Sequence, residues 1–215
     1  MTTRVLYLHG FASSPKGRKV EALSRVFAPE RIVLDAPDLN VPSFAALDFD
    51  AMVERALRRA EEDPPAVIAG SSLGAIVALS VSRVVPSPLV LIAPAIGFGN
   101  RWTEKLPPGD PLRFFHHGEN RELPIHRAFF ERMAAVDVDR DPPGVAVTIL
   151  MGRRDESVPI AVVEGVWKRW ERSGKLVRGS RFMEIAEGDH GLTGFVHDIA
   201  REIRSAAHGK MRAHS

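Results

Sequence analysis

Short runs of Val, Ile and Leu alternate along this chain with longer stretches in which apolar residues recur at helical spacing. The runs at 3–8 (TRVLYL), 31–34 (RIVL), 65–69 (PAVIA), 88–93 (PLVLIA), 145–150 (VAVTIL) and 180–185 (SRFMEI) predict strands. Several are continuously apolar, as a parallel sheet covered on both faces requires. Between them, Met52, Val53, Ala56, Leu57 and Ala60 form one stripe, separated by Glu54, Arg55, Arg58 and Arg59. Val162, Val163, Val166, Trp167 and Trp170 form a second stripe, and Phe195, Val196, Ile199 and Ile203 a third. Val20, Leu23 and Phe27 mark a first helix around 17–27. Each stripe is one apolar helix face that a sheet can cover. The helix after Leu73 differs: Ile76, Val77, Leu79, Val81 and Val84 leave little polar surface, so it is expected to be the most buried.

Strand and helix in alternation predict an α/β sandwich with right-handed crossovers. One interval breaks the rhythm. About 50 residues separate the strand at 88–93 from that at 145–150, more than a simple crossover needs. This interval opens with the Pro/Gly-rich piece GFGNRWTEKLPPGDPLRFFHHGEN and continues into a helix near 124–136. The piece, about 97–123, is read as a small lid-like insertion in a single domain spanning 1–204, with 205–215 as a flexible tail.

The most informative junction is Val67-Ile68-Ala69-Gly70-Ser71-Ser72-Leu73-Gly74, where a strand meets the buried helix through G-x-S-x-G. Ligands of open α/β sheets sit at the carboxyl ends of the strands. A sharp turn there lifts the central serine above the sheet and places the first helical amides beside its hydroxyl. Alone the motif is weak, since Gly and Ser also cap helices. Its partners raise its value. A serine nucleophile needs a base, and the base an orienting acid, in the chain order Ser, Asp or Glu, His for this architecture. MGRRDESVP follows the strand at 145–150 and offers Asp155; AEGDHGL follows the strand at 180–185 and offers His190. Ser72, Asp155 and His190 thus each follow a different strand on one sheet edge.

Other residues compete for these roles. Glu156 neighbours Asp155; Asp35 and Asp38 precede the serine and suit a loop-ordering role; Asp189 is expected to point away from its neighbour His190. His197 falls on a helix surface, while His116, His117 and His126 lie in the insertion and are expected in solvent. The first loop, YLHGFASSPKG, offers the Phe11 amide as a second oxyanion donor beside that of Leu73, with His9 as a loop-fixing side chain. Phe11, Trp102, Phe114, Phe115 and Leu192 are expected to line a small apolar pocket, and Arg101, Arg153 and Arg154 to be solvated.

Composition narrows the alternatives. The 215 residues are 45% hydrophobic and 26% charged, with a formal net charge of +2. No dense basic stripe points to nucleic acid. The absence of cysteine excludes thiol catalysis, disulfides and Cys-zinc sites. No run approaches the ~20 apolar residues of a membrane span, and MTTRVLYLHGF is a poor signal peptide, so a cytoplasmic location is expected. Nucleotide binding is disfavoured: Arg18-Lys19 follows Gly17 where a P-loop needs Lys-Ser/Thr, and Gly97-Phe98-Gly99 lacks a third glycine at Trp102. No metal or cofactor is called for. The expected partner is a small ester or thioester, and association of two copies stays open. A non-catalytic binding module, or acyl transfer on the same triad, remains an alternative.

HGFASSPKG, GSSLG, GRRDESVP and GDHG together resemble the α/β-hydrolase superfamily, and within it the small YqiA-like esterase branch. The resemblance runs from about residue 3 to 204. It implies a compact α/β-hydrolase fold of about six mostly parallel strands flanked by helices, without the two strands that usually precede the H-G loop. It also implies Ser72 as nucleophile, His190 as base, Asp155 as acid, and the Phe11 and Leu73 amides as oxyanion hole.

Overall fold

The computed structural model describes residues 2–212, with side chains as far as Gly209. The chain opens with β1 (Thr3–Leu8), α1 (Arg18–Phe27) and β2 (Ile32–Asp35). The α1 stripe Val20, Leu23 and Phe27 is buried as its spacing requires. In α2 (Phe49–Glu62) the buried residues are Phe49, Met52, Ala56 and Ala60, and Asp48 caps the helix by accepting from the Ala51 amide at 2.8 Å. The strand β3 (Val67–Ser71) runs into α3 (Leu73–Ser82), which is buried at every position except Ser80. Then come β4 (Leu89–Ile92), a short α4 (Arg101–Glu104), β5 (Leu112–His116), β6 (Arg121–Ile125) and α5 (Arg127–Ala134). The chain closes with β7 (Val147–Gly152), α6 (Ile160–Ser173), β8 (Arg181–Ile185) and α7 (Val196–Arg212).

Six strands form one sheet in the order β2-β1-β3-β4-β7-β8, every neighbouring pair parallel. The chain moves outward from β1 to β2 and then reverses to β3. Right-handed crossovers on the two sides of β1 therefore put α1 and α3 on opposite faces. α1 packs with α7 on one face, and α2 with α3 on the other. Because all six strands point the same way, the loops after β1, β3, β7 and β8 emerge along one edge. Among the described residues no helix is long and apolar enough to cross a membrane.

Three expectations are corrected. The insertion, in which no strand was expected, carries two: β5 and β6 form an antiparallel hairpin with Leu112 opposite Ile125 and Phe114 opposite Leu123. Its period-two alternation, with Leu112 and His116 buried and Arg113 and Phe115 exposed, was masked by the prolines and glycines around it. The helix expected near 124–136 is correspondingly shorter, beginning only at Arg127. The hairpin tip docks on the first loop, where the His117 amide donates to Ala12 O at 2.8 Å. Finally, α7 carries residues 205–212, placed in the tail by the sequence, because Ala207 is buried and extends the stripe of Ile199 and Ile203 by another turn. The remainder of that tail, 213–215, lies outside the described residues.

Candidate active site

Ser72 sits between β3 and α3 with φ 53° and ψ −117°, a conformation that side chains other than glycine rarely adopt. Such strain costs roughly 1–3 kcal/mol and persists only where the surroundings hold it. Here the Ser72 amide donates to Ile92 O at 3.0 Å, and its carbonyl accepts from the Ala75 and Ala95 amides at 3.1 and 3.3 Å. The turn also needs α3 to press on the sheet. A Cβ at Gly74 would lie 2.1 Å from Leu8 O and 2.6 Å from His9 O.

The hydroxyl so presented is met by two groups from distant loops. His190 Nε2 lies 3.1 Å from Ser72 Oγ, and His190 Nδ1 lies 2.8 Å from Asp155 Oδ2. In the tautomer this row requires, Nδ1–H donates to Asp155 and Nε2 accepts from the serine. Asp155 is held in turn: its Oδ1 accepts from the Ser157 and Val158 amides at 2.9 and 2.8 Å, and its side chain is fully buried. The geometry therefore joins Ser72, His190 and Asp155, the residues placed together by chain order. The first loop lies alongside, since a Cβ at Gly10 would be 3.3 Å from Ser72 Cβ. That brings the loop carrying Phe11 beside the turn that carries Ser72 and Leu73.

The rival residues find other work. Glu156 is exposed. Asp189 Oδ1 accepts from the Leu192 amide at 2.8 Å and orders its own turn. His9 fixes the loop as expected, its Nε2 accepting from the Leu39 amide at 2.9 Å. Asp38 orders the same region by accepting from the Asn40 amide, while Asp35 is bonded by Arg59. Arg153 and Arg154 pair with Glu184 and Glu187, and Arg101 is exposed. His117, His126 and His197 are exposed, but His116 is not. It is buried edge-on against the Phe44 ring at 4.8 Å and accepts from the Glu119 amide at 3.0 Å.

The pocket expectation needs the largest correction. A cavity of about 510 Å³ lies over Ser72 and His190, and of the five predicted lining residues only Phe11 reaches it. Phe114 packs edge-on against Phe11 at 5.3 Å, inside an aromatic cluster with Phe129 and Phe130. Trp102 lines a different cavity, beside Phe98 and Met133. Phe115 points outward on the hairpin's other face, and Leu192 is core, packed at Gly188. The cavity walls instead mix polar and apolar surface, with Lys16, Arg18 and Lys19 on one side and His117 on another.

Lys19 is the residue that sequence reasoning missed. Its Nζ donates to Ser71 Oγ at 2.7 Å, directly beside the strained serine. Ser71 also hydrogen-bonds Tyr7, whose phenol is pushed up by burial. Burial lowers the Lys19 ammonium from 10.5 to about 8, against the opposing pull of Asp189 and Asp155. The only signal in the sequence was the basic run Lys16-Gly17-Arg18-Lys19, which served there to argue against a P-loop.

The shift has a consequence for stability. Between pH 8 and 10.5 the unfolded chain holds more of this proton than the folded one. Folding stability therefore rises with pH through that window, and below it the buried charge exacts its full cost. Lys19→Met is expected to raise unfolding free energy near neutral pH by about 1–2 kcal/mol, less than the roughly 3 kcal/mol that the bare shift implies, because the cavity admits solvent. Denaturant titrations of both proteins across the window check this. The advantage of the Met variant should shrink toward the alkaline end, and a variant less stable at neutral pH would contradict the burial cost.

Comparison with known proteins agrees with the fold. No curated protein matches. Alpha/beta hydrolase domain-containing protein 10 from mouse superposes with a TM-score of 0.73 at 17% identity, covering 95% of this chain and 89% of its own. Est1E from Butyrivibrio proteoclasticus, solved with ferulic acid bound, gives 0.70 at 15% identity, with 95% and 89% covered. The esterase domain of a Rhodothermus marinus protein gives 0.65 at 19% identity, with 92% and 82% covered. At such identities the likeness shows the fold, which is that of the α/β-hydrolases. Residues 4–205 match the uncharacterised protein family UPF0227, in keeping with the YqiA-like motifs, and the chain belongs to that family.

Proposed function

We propose that this protein is a serine hydrolase that cleaves small carboxylic esters or thioesters through an acyl-enzyme. The observation that carries the reading is the unbroken row from Ser72 Oγ through the His190 ring to the buried Asp155, open to a cavity of about 510 Å³. In the reaction, Ser72 Oγ attacks the carbonyl carbon as His190 Nε2 takes its proton. The carbonyl electrons move to oxygen, where the amides of Leu73 and Phe11 receive the charge. Asp155 keeps the imidazole in register and stabilises its cation. The tetrahedral centre collapses with loss of the alcohol or thiol, which takes the proton from His190. Water, deprotonated by the same nitrogen, then attacks the acyl carbon; the bond to Ser72 Oγ breaks, His190 returns the proton to that oxygen, and the acid is released.

A fluorophosphonate probe tests the reading at its centre. It should attach covalently to Ser72 alone, with peptide mass spectrometry locating the adduct, and His190→Gln should slow labelling by ~10²-fold or more. Labelling of Ser71 instead would move the nucleophile to that residue, and no serine labelling at all would return the chain to the class of non-catalytic binding modules. A graded series of p-nitrophenyl and thioester substrates then defines the acyl preference.

A further inference from the structure

We propose that the basic wall formed by Lys16, Arg18 and Lys19 binds an anionic group, carboxylate or phosphate, carried by the ester or thioester whose carbonyl Ser72 attacks. The inference rests on the esterase reading for the reacting group, and on independent observations for the anion.

All three cations line the cavity that holds Ser72 and His190. Among the described residues none of the three forms an ion pair. The two acids on the same cavity are otherwise engaged, Glu21 with Arg25 at 3.4 Å and Asp189 with the Leu192 amide at 2.8 Å. Basic residues just outside behave differently: Arg153 and Arg154 each have a glutamate partner. Asp189 and Asp155 offset Lys19 in part from beyond ion-pair distance, but Lys16 and Arg18 have no ion-pair partner among the described residues, so the wall stays basic where a substrate must enter.

Lys19 sharpens the point. A cation withdrawn from water is costly unless it is paired. Its one hydrogen bond here goes to a neutral hydroxyl, Ser71 Oγ at 2.7 Å. An ammonium has three N–H donors, so two remain for a ligand beside the nucleophile. Even with its pKa lowered to about 8, it is mostly charged at neutral pH. Arg18 adds a planar fork suited to carboxylate or phosphate oxygens. The hairpin tip at His117 and Gly118 forms another wall, and such enclosure strengthens attraction relative to open water.

Two matched substrate pairs carry the test. p-Nitrophenyl butyrate against p-nitrophenyl hemiglutarate places a carboxylate on the acyl side. Ethylene glycol monobutyrate against its phosphate monoester places the charge on the leaving group. In at least one pair the anionic member should be preferred by ~10-fold or more in kcat/KM at low salt, and the preference should shrink at high salt. The Lys16→Gln/Arg18→Gln double variant, altered at two exposed positions, should lose ~10-fold of that ratio. The pair that responds identifies the side of the scissile bond that the wall serves.

A binding arm separates this from the chemistry. Monomethyl glutarate and ethyl phosphate are titrated calorimetrically into Ser72→Ala protein, with and without the two glutamine substitutions. Binding weakened ~10-fold by those substitutions supports the anion site even if no ester is turned over, in which case only the esterase reading falls. Equal affinity in both proteins, or equal kcat/KM within both substrate pairs, overturns the anion site while leaving the esterase reading untouched.

Discussion

Replacing Ser72 by alanine is expected to cut ester turnover by ~10⁴-fold or more with little change in stability. Alanine keeps the Cβ, and the bonds that hold this turn are made by backbone: the Ser72 amide to Ile92 O at 3.0 Å, and its carbonyl from Ala75 and Ala95. What is lost is the oxygen 3.1 Å from His190 Nε2, without which no acyl-enzyme forms. The loss should fall on kcat, with KM nearly unchanged, because the cavity walls stay in place. Steady-state kinetics with p-nitrophenyl butyrate, alongside a thermal melt, read both halves. Residual activity within 100-fold of wild type (against the ~10⁴ expected) would mean that the hydroxyl is not the nucleophile. Neighbouring Ser71 is no substitute, since it is buried and already accepts from Lys19.

The largest effect on stability is expected at Gly74. An added methyl there would lie 2.1 Å from Leu8 O, 2.6 Å from His9 O and 2.6 Å from Leu8 C, all backbone atoms of β1 and the loop beyond it. No rotamer change relieves a clash with backbone, so α3 must move off the sheet and take Ser72 with it. Gly74→Ala should therefore cost at least ~3 kcal/mol, beyond the range of ordinary overpacking. Gly165 is the contrast. It lies inside α6 with open space around its would-be Cβ. There alanine should stabilise by about 0.5–1 kcal/mol through helix propensity and a less flexible unfolded chain. Urea denaturation of both variants distinguishes the steric account from a general cost of replacing glycine. Similar shifts at the two positions would remove the proposed reason for the glycine at the elbow.

The anion site and the Lys19 prediction meet in one trade. Lys19, whose burial is expected to cost stability at neutral pH, stands beside Ser71 next to the proposed nucleophile, so the Lys19→Met variant is expected to be sturdier and a poorer binder of charged substrates. The cavity presents lysine, arginine and histidine where the sequence suggested phenylalanine and tryptophan.

How much was legible in advance depended on whether the information was local. Continuous Val/Ile/Leu runs mark strands covered on both faces, and they located all six members of the parallel sheet to within about two residues. Helical stripes such as Val20, Leu23 and Phe27 named the faces that became buried. Parallel strands share one carboxyl edge, so the order Ser72, Asp155, His190, each just past a strand, already placed the three on one rim. The sequence by itself thus determined the parallel sheet, its main flanking helices and the row of Ser72, His190 and Asp155. Only the tertiary structure decided what surrounds that row. The direction of Phe114 and Phe115 turned on a hairpin hidden among prolines and glycines, and Leu192 went to the core through its contact at Gly188. Lys19 reached Ser71 across 52 positions of sequence. Periodicity reports which face of an element is apolar, because that is set by neighbours along the chain. A cavity wall is assembled from elements that meet only in space, and its chemistry appears when they pack.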